Sequence, residues 1–118
     1  MQATYKTLYA DGSLSNYLGD DDFFDILDEL KSIQEQCFNI GTRLKLKPNI
    51  IEGIRKDKLD HAESLSKVVD NWLIKKNYKV ERFGEPCWKT LVEAVENSGG
   101  GNHKALAIEI AKRHQQPK

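Results

Sequence analysis

The stretch Asp60-His-Ala-Glu-Ser-Leu-Ser-Lys-Val-Val-Asp-Asn-Trp72-Leu73 decides how this chain folds. Asp60 followed three residues later by Glu63 is a capping box in carboxylate form. The first side chain can accept from a free N–H at a helix start, and the second adds negative charge where the helix dipole favours it. Behind this cap Ala62, Leu65, Val69, Trp72 and Leu73 fall on one face at helical spacing. The pattern predicts a helix, and patterns of the same kind flank it on both sides.

Upstream, Phe23, Ile26, Leu27 and Leu30 stand at i, i+3, i+4 and i+7, with Asp20, Asp21 and Asp22 placed to cap them. Cys37, Ile40, Gly41 and Leu44 repeat the spacing. Pro48 suits the first turn of a third, short helix carrying Ile50, Ile51 and Ile54. Downstream, Pro86 is expected to start a fifth helix with Trp88, Leu91, Val92 and Val95 inward. Ser98-Gly-Gly-Gly101 ends it, and Asn102 is expected to cap a sixth with Leu106, Ala107, Ile110 and Ala111 inward. Tyr78 to Phe83 is the nearest approach to a strand, and it is too short and too charged. Helices this short are unstable alone in water, so they must pack together. The expected fold is all-α, a six-helix antiparallel bundle.

A chain of 118 residues fits one domain, and 39% apolar with 31% charged residues describes a globular rather than a disordered one. Lys and Arg balance Asp and Glu at a formal net charge of zero, which weakens bulk attraction to nucleic acid or anionic lipid. No apolar run approaches the ~18–20 residues that span a bilayer, and no basic-then-apolar leader follows Met1. Cys37 and Cys87 are too few for a disulfide framework or a cysteine-rich zinc site. The cytoplasm is therefore the expected compartment. Residues 1–20 hold Tyr5, Tyr9 and Tyr17 without a clear period and read as a loosely docked N-terminal arm or the remnant of a preceding region. Residues 21–114 form the domain and 115–118 a tail.

Catalytic chemistry finds little support. His61, His103 and His114 are isolated, each beside a predicted helix end, and read as caps or dipole partners. No Gly-x-Ser-x-Gly elbow, no His-Glu-x-x-His pair and no metal-ligand spacing occurs. Gly99-Gly-Gly-Asn-His-Lys104 lacks the Gly-Lys-Ser/Thr of a phosphate loop and reads as a connection between helices. Cys37 falls on an apolar stripe and reads as a core residue. Cys87 stands at a helix start, where thiols are activated, but no partner residue accompanies it. No catalytic residue, metal or cofactor is expected.

The order of these segments resembles the death-domain family. Phe38-Asn-Ile-Gly-Thr-Arg-Leu-Lys-Leu-Lys-Pro-Asn-Ile-Ile-Glu-Gly-Ile54 is similar to the family stretch L-A-x-x-L-G-L-(S/P)-x-x-x-I-x-x-I. Leu65 to Leu73 looks like its fourth helix, ending in a buried Trp. Pro86-Cys-Trp-Lys-Thr-Leu-Val-Glu-Ala-Val95 looks like its fifth, followed by a glycine-containing turn. The resemblance covers about residues 21–114. The chain departs from the pattern at Cys37, where many members carry Trp, at Lys45 in place of a usual Gly, and at Lys47 in place of a Ser/Thr cap. It implies a death-domain type of bundle that is not an enzyme. Such a bundle binds other death-domain proteins, or its own copies, in apoptotic or innate-immune signalling, with no nucleic acid and no direct membrane contact.

Charge layout supplies an argument of its own. Between residues 19 and 37 seven acids face Lys31 alone, a net of −6; between 43 and 58 six bases face two acids, a net of +4. Asp25, Asp28 and Glu29 are the expected acidic face, and Arg43, Lys47, Arg55, Lys56 and Lys58 the basic one. Lys75, Lys76, Asn102 and Lys104 make a second candidate interface. Opposite faces pointing apart would let one molecule dock another head to tail. The alternative reading takes Ile40 to Arg55 as a helix-turn-helix DNA reader with basic side chains on its second helix. Against it stand the acidic run upstream and Glu52, which would face the phosphates.

Overall fold

A computed structural model describes residues 18–74, 78–99 and 101–114, and the side chains of all of these except residues 80, 101 and 102. Among the described residues every regular element is helical. α1 spans Phe23–Leu30, α2 Cys37–Arg43, α3 Pro48–Lys56, α4 His61–Leu73, α5 Val80–Phe83, α6 Trp88–Asn97 and α7 Gly101–His114. Six of these are helices of seven residues or more, and α5 is a single turn. No helix among them is long and apolar enough to cross a membrane.

α1 is entered through a 3-10 turn at Asp20–Asp22, where an Asp22 carboxylate oxygen accepts from the Gly19 N–H at 2.9 Å. It buries Ile26 and Leu30 and leaves Phe23 and Leu27 partly covered. The chain does not break between α1 and α2. It continues as a 3-10 segment, Lys31–Gln36, bent at Ile33 (φ −124°, ψ 24°), so two expected helices form one bent rod. Leu30, Ile33 and Cys37 carry the buried stripe across the bend.

α2 ends in a Schellman turn: the Lys45 N–H donates to Thr42 O at 3.1 Å and the Leu46 N–H to Gly41 O at 3.2 Å. Lys45 occupies the left-handed position of that turn at φ 72°. Pro48 then opens α3, which buries Ile51 and Ile54. Asp60 caps α4 as the spacing predicts, its Oδ1 accepting from the Glu63 N–H at 2.8 Å.

α4 is the axis on which α1, α2 and α3 pack. Its buried face comprises Ser64, Leu65, Val68, Val69, Trp72 and Leu73. Ala62 is not part of it: as the second residue of the helix it faces solvent. At the crossing with α2, Gly41 lets the helices approach so closely that a Cβ there would lie 3.3 Å from Val68 Cγ1. Trp72, Leu65, Ile26 and Ile40 are at most 2% exposed, and each such burial contributes about 1.5–3 kcal/mol.

The chain between α4 and α6 contains the turn that the strand-like pattern concealed. Lys79 O accepts from the N–H groups of Arg82 and Phe83, closing α5, and the buried Tyr78 donates its hydroxyl to Gly84 O at 2.9 Å. α6 begins at Trp88 behind an extended Cys87, not at Pro86, whose carbonyl instead accepts from the Leu18 N–H at 2.8 Å. α7 begins at Gly101, one residue before the expected cap at Asn102, and lies along α6. Leu91, Val92 and Val95 of α6 meet Ala107, Ile110 and Ala111 of α7 in the same core cluster. Leu106 is only partly covered. Both cysteines are buried and free. Apart from Leu18 to Asp20, the tyrosine-rich arm lies outside the described residues, as does the tail.

Candidate interaction faces and groove

Asp25 and Asp28 stand exposed on α1, and neither carboxylate makes an ion pair with a described residue. Phe24 lies between them and the aspartates of the entry turn, off the helix's buried stripe and 75% exposed. Glu29, expected on the same acidic face, is turned inward and its side chain is only 11% exposed. Both of its oxygens accept from Arg113 Nε at 3.0 Å, with closer contacts from Arg113 Nη2 and His114 Nε2. Burial alone would raise this carboxyl, but the bonds from Arg113 and His114 outweigh it and hold the group below the ordinary carboxylate value. The same bond pushes the Arg113 guanidinium further into its charged form. His114 also stacks on Trp88, with ring centroids 3.7 Å apart. Glu29 thus joins the end of α1 to the end of α7 and contributes no free charge to the surface.

The basic residues gather around α3. Lys47, Lys56 and Lys58 are exposed without ion pairs among the described residues. Lys58 sits just past the end of α3 at φ 53°. Arg55 is less available, since its Nε lies 3.3 Å from Glu52 and its guanidinium 4.5 Å from the Phe38 ring centre. Arg43 is exposed at the end of α2. No ion pair links the acidic residues of α1 to this group among the described residues. Lys75, Lys76 and the Asn102 side chain lie outside the described residues; Lys104 is exposed on the first turn of α7.

A groove of about 210 Å³ opens between the end of α2, α5 and α6. Leu44, Tyr78 and Ala94 are buried in its floor, and the exposed Arg43 and Lys45 stand at its rim. Phe83 is 37% exposed within a basic frame, its ring centre 5.9 Å from Lys45 Nζ and 5.2 Å from the Arg82 guanidinium. Burial, aided by Glu85 and Cys87, pushes the Tyr78 hydroxyl up to about 12, so it stays a neutral donor to Gly84 O. The Glu93 carboxyl, also on the groove, is pushed up by burial and by Glu96. Neither Phe24 nor the groove was anticipated from sequence. Phe24 carried a signal, being a large apolar residue outside the helical stripe. The groove carried none, because it forms between segments far apart in the chain.

Two polar pairs among the described residues involve side chains that could be nucleophiles. Ser98 Oγ lies 3.0 Å from His103 Nδ1, but it already donates to Val95 O at 3.0 Å. The imidazole therefore donates to that oxygen, the reverse of nucleophile activation. This pair ties the end of α6 to the start of α7. The Cys87 thiol lies 3.3 Å from the Thr90 hydroxyl within one helical turn, and burial raises the Cys37 thiol. No group of three or more His, Cys, Asp or Glu that could hold a metal occurs among the described residues. Compared with known proteins, the chain matches no family model, no curated protein and no solved structure.

Proposed function

We propose that this chain is a death-domain-like interaction module, a helical bundle that docks another bundle of its kind through oppositely charged faces. Its partners are other death-domain proteins or its own copies, its setting is cytoplasmic assembly in apoptotic or innate-immune signalling, and it transforms no substrate. The resemblance of residues 21–114 to that family supports the reading, and so does the all-helical fold with six longer helices. The observation that carries it is electrostatic. Asp25 and Asp28 on α1, and Lys47, Lys56 and Lys58 around α3, all remain exposed and unneutralised within the described chain.

Unpaired surface charge contributes little to the stability of a monomer. Between molecules it steers encounter and selects the partner, because like faces repel and unlike faces attract. A contact that joins two different faces of the same chain is heterologous and extends into rings or filaments. The test reverses the basic face with Lys47→Glu and Lys56→Glu, chosen over Arg55 because Arg55 already has Glu52 and Phe38 as partners. Sedimentation of the chain alone, and with purified death domains, is measured at ~0.15 M salt, where the Debye length is ~8 Å. The double variant is expected to keep its helicity and lose association. Unchanged association in that variant would refute the reading.

A further inference from the structure

We propose that the groove between α2, α5 and α6 receives Phe24 from a second copy of this chain. The inference rests on the charged-face reading above and makes it specific, since it names the residue that enters and the surface that receives it. Two of the large apolar side chains left exposed are phenylalanines set in opposite frames. Phe24 is 75% exposed beside Asp21, Asp25 and Asp28, and Phe83 is 37% exposed beside Lys45 and Arg82. A cavity of roughly 150 Å³ suffices for a benzene ring, and the groove offers about 210 Å³, with Phe83 and Leu44 on one side and Thr90, Glu93 and Asn97 on the other.

Docking would bury Phe24 against Leu44, Phe83 and Ala94 and bring the α1 carboxylates to Arg43 and Lys45 at the rim. Aromatic side chains seated in a pocket and ringed by polar contacts are the usual centres of interface energy. Two features of the groove favour an acidic visitor over a basic one. Arg43 and Lys45 have no carboxylate partner among the described residues, and Glu93, the one acid on the groove, has its charged form disfavoured by burial. Knob and groove belong to different helices of one molecule, so each copy can receive one neighbour and enter another.

The whole chain is tested by sedimentation velocity across a concentration series at ~0.15 M salt. Phe24→Ser removes the knob at an exposed position and is expected to weaken association at least ~10-fold with unchanged circular dichroism. Arg43→Glu with Lys45→Glu reverses the rim, and Asp25→Lys with Asp28→Lys reverses the frame of Phe24. Each pair alone is expected to be monomeric, and the two mixed in equal amounts are expected to associate, because the unaltered α1 of the first variant can still enter the unaltered groove of the second. Wild-type association of the Phe24→Ser variant overturns the docking. So does failure of the mixture to associate when both parents keep wild-type helicity. If Lys47→Glu with Lys56→Glu abolishes assembly while Phe24→Ser does not, the charged-face reading stands and the groove is not its receptor. A wild-type chain that stays monomeric yet binds a purified death domain gives the same division.

Discussion

Lys45 and Lys58 each occupy the position just beyond a helix end where the backbone turns left-handed, at φ 72° and 53°. Glycine is the inexpensive residue there, because a Cβ in that conformation costs about 1–2 kcal/mol. A lysine regains part of this from the helix dipole, which favours a cation at the C-terminus by about 0.3–1 kcal/mol. The remainder is strain, and both strained residues belong to the basic surface. Lys58→Gly is therefore expected to raise stability by about 0.5–1 kcal/mol in urea denaturation while weakening association. Lower stability in that variant would show that the lysine side chain is held by something stronger than its backbone strain. The family resemblance marks Lys45 as a departure from glycine, and the Schellman turn explains why glycine is the usual residue at such a place.

Among the elements, α4 organises the bundle, and its crossing with α2 is close at Gly41. A Cβ at Gly41 already meets Val68 at 3.3 Å, with Ile51 and Leu46 at 3.6 Å. Gly41→Val adds two further methyls against neighbours that are themselves buried, and it is expected to cost about 2–3 kcal/mol in thermal or urea unfolding. An unaltered midpoint would mean that α2 and α4 can separate freely. The helices were legible in sequence wherever a 3.6-residue stripe runs for two turns or more, as in Trp88, Leu91, Val92 and Val95. Legibility failed where that period lapses. The segment from Lys31 to Gln36 is 3-10 and carries Ile33 as its one apolar residue, so the stripe thins to a single side chain and the pattern reads as a gap between helices. α5 has four residues, too few to show any period, and its helical turn is closed by backbone bonds to Lys79 and by the Tyr78 hydroxyl bond to Gly84. The charges of the candidate faces were legible because charge belongs to each residue. The inward turn of Glu29 was not, because its partner Arg113 lies 84 residues away.

For the molecule as a whole, that distant pair closes the chain of helices by fastening the end of the last to the end of the first. The Glu29 carboxyl is held below its ordinary value of 4.5 in the folded state. A depressed carboxyl stabilises the fold fully above its unfolded value, and the contribution is lost as pH falls through the folded one. Arg113 is half exposed, so solvent screening limits the gain. Glu29→Gln is expected to cost roughly 1–2 kcal/mol at neutral pH. The gap from wild type should close as urea denaturation is repeated at pH values below about 4.5. A gap that persists undiminished into acid would mean that the carboxylate charge is not what Arg113 and His114 hold.

Contacts between neighbours in sequence, such as α6 with α7, close short loops and form early on the way to the native state. The Glu29–Arg113–His114 contact closes a loop of more than eighty residues and is therefore expected to form late, after the barrier. Weakening it would then leave the refolding rate nearly untouched and shorten the native lifetime instead. Stopped-flow mixing of the Glu29→Gln chain should show the loss almost entirely in the unfolding limb, identifying this clasp as a kinetic lock.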